Sequence, residues 1–228
     1  MAIYVTGDKH GTLDITDLNV DKFPDQKLLT KADYVIVCGD FGLFWDNKKD
    51  EQYWRKWLAD KPFTTLYVDG NHENFNMINS QPIKFWKGGK VHVSDEGFIH
   101  LMRGQVFNID GVEFFTMGGA TSIDKEDRRE NISWWPEELP NYAEYEEGLM
   151  RLELCNWQVD YVLTHDAPTL QCAQMAKTLT DEGSQLRKYF DLIDSKLEYK
   201  KWFFGHHHKD IGLDYKHICL YRAVLKIT

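Results

Sequence analysis

Side chains able to hold a cation or move a proton stand just beyond a series of short apolar runs: Asp8 and His10, Asp40, Asn71 and His72, His165, then His206 and His208. If the runs are strands of an open α/β sheet, these residues gather in the crevice beyond the strands' carboxyl ends, where such sheets bind ligands. In Asp8-Lys9-His10 and His206-His207-His208 the outer residues are two apart. On extended backbone each outer pair faces one way and can grip one ion cluster, while Lys9 and His207 point elsewhere. Imidazole with carboxylate suits manganese, zinc, iron, cobalt or nickel, and the absence of cysteine from the set argues against a soft or structural zinc site. Two such cations about 3.5–4 Å apart would clamp the oxygens of a displacement at phosphorus and activate a water. Because most of the ligands are neutral imidazoles, the pair would keep the positive charge that draws a phosphate dianion.

The elements that must position these residues show in the hydrophobic pattern. Ile3-Tyr4-Val5-Thr6, Tyr34-Val35-Ile36-Val37-Cys38 and Thr65-Leu66-Tyr67-Val68 are nearly continuous apolar runs, each stopping near Gly-Asp or Gly-Asn, as strands buried on both faces do. Tyr53, Trp54, Trp57 and Leu58 recur at helical spacing and predict a helix over 48–61, which gives a β-α-β rhythm. Residues 90–119 alternate apolar and polar around Asp95-Glu96-Gly97 and Asp110-Gly111, so antiparallel hairpins and a second sheet are expected. Residues 121–142 read as a long polar loop, 143–157 as a helix, 160–163 and 201–204 as strands, 169 to about 197 as helical segments, and 211–228 as short strands.

Composition narrows the classes. A chain of 228 residues, 43% hydrophobic, has material for one sizeable core and reads as one domain over 1–228. No secretory signal and no membrane-length apolar run is visible, so a soluble cytoplasmic protein is expected. Cys38, Cys155, Cys172 and Cys219 are scattered without a C-x-x-C pair, as core thiols in a reducing compartment would be. With 27 Lys+Arg against 36 Asp+Glu, a net charge of −9 disfavours an extended nucleic-acid partner.

Taken in order, Asp8-Lys9-His10, Gly39-Asp40, Gly70-Asn71-His72-Glu73, Thr164-His165 and Gly205-His206-His207-His208 resemble the motif set of the calcineurin-like metallophosphoesterase superfamily, and the segment from Gly118 to Glu138 is similar to its small bacterial and prophage members. The resemblance implies an α/β fold: a four-layer α/β/β/α sandwich of two mixed sheets with the metal site at the strand ends. It implies two divalent ions, manganese foremost and iron, zinc, cobalt, nickel or magnesium as alternatives. Asp8, His10, Asp40 and His208 would hold one, Asp40, Asn71, His165 and His206 the other, with Asp40 bridging. His72 would bind no metal but protonate the leaving group or steady the phosphate, a role suited to imidazole. Many relatives carry G-D-x-x-D, whose last carboxylate orients that histidine; here the motif reads Gly39-Asp40-Phe41-Gly42-Leu43, and Asp46, Asp69 and Glu73 are the substitutes nearest in sequence. The arginines of the protein-phosphatase branch are absent, Phe44 and Asp69 standing in their places.

The expectation is a hydrolase of a small or nucleotide-like phosphate mono- or diester. A nuclease or polynucleotide-end phosphatase is the alternative within chemistry, and a non-catalytic binding scaffold of the same fold the alternative outside it. Arg128 and Arg129 are candidate phosphate ligands on the 121–142 loop. Trp45, Trp134 and Trp135 are candidates to stack a base, with loop anchoring favoured. His92, His100 and His217 lie outside the motifs and read as ordinary.

Overall fold

The computed structural model describes residues 1–175 and 179–228. Two mixed sheets form the centre. The first has seven strands in the order β13-β1-β2-β3-β6-β5-β4, comprising β1 (Ile3–Thr6), β2 (Tyr34–Cys38), β3 (Thr64–Val68), β4 (Ile83–Trp86), β5 (Gly89–Val93), β6 (Ile99–Leu101) and β13 (Val224–Lys226). The second has six in the order β11-β12-β10-β9-β8-β7, from β7 (Gln105–Ile109), β8 (Val112–Met117), β9 (Tyr161–Thr164), β10 (Lys201–Phe204), β11 (Ile211–Gly212) and β12 (His217–Cys219). Strands β1, β2, β3 and β6 run parallel, as do β8, β9, β10 and β12, while the outer strands are antiparallel.

The layering follows from alternation along the strands. Ile3, Val5, Ile36, Cys38, Leu66 and Val68 face Phe114, Leu163 and Phe203 of the other sheet, forming the core between them. The alternate residues Tyr4, Val35, Val37 and Tyr67 pack outward with Leu58 of helix α1 (Lys49–Ala59). On the far side Phe115, Val162, Trp202 and Phe204 pack with Tyr145 and Leu152 of α3 (Tyr142–Leu154) and with Phe190 and Ile193 of α5 (Ser184–Lys196). Both faces of the central strands of each sheet are therefore dry, as the uninterrupted apolar runs require. Each of these large side chains contributes roughly 1.5–3 kcal/mol by leaving water.

The hairpins expected at 95–97 and 110–111 are present as β5–β6 and β7–β8. Helix α3 starts on an Asn141–Glu144 capping box and stops at Leu154, short of the expected 157, because Asn156 and Trp157 take φ of 54° and 57°. Two elements were not anticipated: α2 (Phe75–Asn79), capped by the Asn74 side chain, and β4, whose Ile83 and Phe85 are exposed. The 121–142 loop contains two 3-10 turns, Lys125–Asp127 and Pro136–Glu138. Helix α4 (Thr169–Met175) follows β9. Among the described residues no helix is long and apolar enough to cross a membrane.

Candidate metal centre

The motif residues emerge just past the carboxyl ends of β1, β2, β3, β9 and β10. One expectation is corrected here. The backbone that aims them is not extended, since His10, Asp40, His206 and His208 have φ of 40°, 47°, 64° and 51°. Left-handed turns, not strand alternation, bring the side chains together. A non-glycine residue in this region costs on the order of 1–3 kcal/mol, and four of them at one place mark a site that its surroundings hold in shape. Two glycines make room. A Cβ on Gly39, itself at φ 87°, would lie 2.0 Å from His165 Nδ1, and one on Gly70 would lie 2.1 Å from Asp40 Oδ1.

Ligand atoms of Asp8, His10, Asp40 and His208 all lie within 4.8 Å of one another. His208 Nε2 is 3.0 Å from Asp8 Oδ2 and His10 Nε2 is 3.4 Å from Asp40 Oδ2. On the other side of Asp40, His165 Nε2 stands 3.3 Å from Oδ1 and 3.0 Å from Asn71 Oδ1. The His206 ring is edge-on to His165, centroids 5.1 Å apart, and falls outside the tight group. Asp40 thus lies between two sets of donors.

The electrostatics favour cations. Burial would lower His165, yet the Asp40 and Asp8 carboxylates outweigh it and push the ring up to about 10. His10 is likewise held at about 9 against its burial by Asp40, Asp8 and Asp14. Burial, helped by the charges of His165 and His207, takes His206 down to about 4 against the pull of Asp166 and Asp40. Buried carboxylates that favour the charged form of neighbouring imidazoles favour a cation at the same place. Asp8 Oδ2 is buried and, with only the His208 ring nitrogen near it, makes no hydrogen bond of good geometry among the described residues, and such an atom in a folded interior calls for an explanation. A divalent ion fits this donor set.

Outer partners fix the donors. His10 Nδ1 meets Asp14 Oδ2 at 2.8 Å and His165 Nδ1 meets the Cys38 carbonyl at 2.9 Å, so each ring turns Nε2 inward, as metal-binding histidines do. The Asn71 amide donates to Ser122 Oγ at 3.1 Å, and Ser122 donates on to the buried Glu138 at 2.6 Å, which points Asn71 Oδ1 at His165. His72 shows the largest departure from expectation. None of Asp46, Asp69 or Glu73 is recorded in contact with its ring. Instead Arg128 Nη2 lies 3.1 Å from His72 Nδ1 and is held in turn by Asp124. Asp46 pairs with Lys48, Asp69 with His100 and Arg103, and Glu73 accepts from the backbone of Phe41 and Gly42. Sequence reasoning missed Asp14, Ser122 and Glu138; an aspartate four residues after a candidate ligand was the one signal on offer.

The model of the calcineurin-like phosphoesterase family matches residues 1–210, all of the motifs included. The chain belongs to that family. Its members are metal-dependent hydrolases of phosphate esters, and the two sheets flanked by helices are their fold. No curated protein matches by sequence. Among solved structures, a Staphylococcus aureus protein described as a 5'-nucleotidase superposes with a TM-score of 0.54 at 15% identity, over 97% of this chain and 48% of that one. The chain thus spans about half of that relative. GAP50, the anchor in the inner membrane complex of Plasmodium, superposes with a TM-score of 0.54 at 13% identity, over 97% of this chain and 71% of that one.

Beyond the strand ends lies a cleft of about 730 Å³, whose lining includes Asp40, Asn71, His72, His206 and His208 together with Ile123, Leu179 and Arg187. His72 also borders a groove of about 410 Å³ with His10 and Trp45. Of the two loop arginines only Arg128 reaches the site; Arg129 is exposed. Trp45 and the buried Trp135 pack edge to face at 5.3 Å and Trp134 lies under Lys125, so the tryptophans anchor the loop. His92 and His100 join Asp69 and Arg103 in a buried network, and His217 joins Tyr199 and Asp214 in another.

Proposed function

We propose that the phosphoesterase hydrolyses a small or nucleotide-like phosphate mono- or diester at a dinuclear centre, with Asp8, His10, Asp40 and His208 holding one divalent ion and Asp40, Asn71, His165 and His206 the other. The observation that carries this reading is the convergence of four ligand side chains within 4.8 Å around Asp40, beside the unsatisfied Asp8 oxygen. When bound, two such ions supply Lewis acidity at a phosphoryl oxygen and a lowered pKa for water. Manganese, which takes carboxylate and carbonyl oxygens, is the leading candidate, with zinc, iron, cobalt and nickel, which imidazole suits, and magnesium as alternatives.

The chain's own residues do the rest. Arg128 donates to His72 Nδ1, so the neutral ring carries its proton on Nε2 and donates a hydrogen bond from there to a phosphate or leaving-group oxygen, steadying it without giving up the proton. The His72 pKa is lowered, first by burial and, against the pull of Asp40, by the Arg128 charge. That keeps the ring a neutral donor near pH 7. Arg128 stands close enough to add a second contact to the same phosphate. A cleft of 730 Å³ is of the size that encloses a small molecule. The net charge of −9 speaks against a long polynucleotide, and the set of donors retained around the cleft speaks against a non-catalytic scaffold. The test is hydrolysis of p-nitrophenyl phosphate and bis-p-nitrophenyl phosphate by chelated and manganese-loaded chain. Cleavage of either only when loaded supports the reading, and metal-independent cleavage contradicts it.

A further inference from the structure

We infer that Asp166, Cys172 and His207 form a separate cation site on the cleft wall, selective for a borderline-soft divalent ion such as zinc. The three come from different elements. Asp166 follows β9, Cys172 sits in α4, and His207 lies on the turn after β10. One donor atom from each lies within 4.8 Å of the other two. Cys172 Sγ is 3.0 Å and His207 Nε2 3.5 Å from Asp166 Oδ1. Tetrahedral zinc, with bonds of about 2.0 Å to oxygen or nitrogen and about 2.3 Å to sulfur, sets its ligand atoms roughly 3.3–3.7 Å apart; the two separations from Asp166 are within a few tenths of an ångström of that range, and the third is no more than 4.8 Å.

Two further observations point to an ion. His207 Nε2 is buried, and among the described residues its one close polar neighbour is Asp166 Oδ1 at 3.5 Å, without good hydrogen-bond geometry. Asp166 is buried too; it accepts from the Ala167 backbone and the Cys172 thiol, and among the described residues no lysine or arginine pairs with it. A buried carboxylate whose side-chain partners are only an imidazole and a thiol gains from a cation placed among the three. Zinc would release the Cys172 thiol proton to solvent, and thiolate plus carboxylate would then neutralise its charge. All three residues line the 730 Å³ cleft, so the fourth position faces the space where substrate would lie and suits a water or an anionic group. Three protein ligands with one open position is the form of reactive zinc sites, not of closed structural ones. Thiolate in the donor set separates this site from the oxygen and nitrogen donors around Asp40, which include no sulfur.

Cobalt(II) reports the difference directly, because a thiolate ligand gives a near-ultraviolet charge-transfer band that imidazole and carboxylate do not. The chelated full-length chain is titrated with Co²⁺ and followed by absorbance and by metal content. The wild type is expected to develop the band and to hold about one ion more than C172S, which should lack the band, whereas C155S should keep it. D40A, which disrupts the proposed dinuclear centre, should also keep the band, so failure of that centre and failure of this site read out separately. A folded wild type that takes up cobalt without a thiolate band, or a band that persists in C172S, overturns the inference.

Discussion

His72 accepts from a guanidinium where many relatives use a carboxylate, and this difference has measurable consequences. For H72A we expect metal retained and kcat lowered by roughly 10²–10³-fold, by a similar factor across leaving groups, because the neutral ring steadies the phosphate through its Nε2–H. A loss that grows as the leaving group becomes poorer would assign His72 proton transfer instead. R128M should leave metal content unchanged and lower kcat by roughly 10–100-fold, the usual cost of an outer partner, and R128K should not restore it because lysine lacks the planar fork. Asp40 bears on both ion sets, so D40A should lose more activity than R128M together with bound metal; normal turnover with normal metal content would contradict its bridging place. Residue types in order were enough to nominate Asp8, His10, Asp40, Asn71, His165, His206 and His208. Arg128 could be nominated for phosphate but not for His72, because the two are 56 positions apart and the contact depends on how the loop folds back.

Strand ends set the direction of these side chains, and here the sequence was readable in part. Continuous apolar runs gave the buried strands because each run packs on both faces. The turns beyond them were misread as extended, since nothing in D-x-H or H-x-H signals a positive φ at His10, His206 or His208. Strand β4 was missed because its apolar residues face solvent and α2 because it is barely more than one turn. The link from β3 to α3 offers a stability test. Burial would raise the Asp69 pKa, but Arg103 and His100 outweigh it and hold the carboxyl well below the usual range. Arg103 also contacts Glu144 of α3 and the Glu137 carbonyl. R103M should cost roughly 3–5 kcal/mol at pH 7 by leaving Asp69 buried without its guanidinium partner. The sign with pH follows from the depressed pKa. In the wild type the Asp69 contribution is complete above the unfolded value near 3.9 and fades as pH falls below it. In R103M Asp69 should titrate higher, so urea denaturation should show a smaller gap between the two proteins at pH 4 than at pH 7. A gap that widens on acidification would contradict the pairing.

Across the molecule, a metal held by the carboxylates around Asp40 would couple folding to metal binding. An ion that binds only the folded chain stabilises it by about 2.7 kcal/mol at a hundred times its Kd, which for a chain of this length raises Tm by several degrees. Saturating Mn²⁺ should therefore raise the Tm of the chelated wild type and leave D40A nearly unmoved in scanning calorimetry; equal shifts would place the ions elsewhere. The fold class could be read from the chain because five motifs and their strands agree with one topology. The Asp166, Cys172 and His207 cluster could not, because it joins residues that only α4 and the β10 turn bring together. The most direct test of the central claim is ester hydrolysis with metal analysis on manganese-loaded wild type and D40A. The account predicts about two Mn²⁺ ions per wild-type chain, hydrolysis of p-nitrophenyl phosphate or its bis ester that chelation abolishes, and loss of both ions and turnover in D40A. Wild type that binds no Mn²⁺ under any loading condition, or that hydrolyses either ester equally well after chelation, would contradict it.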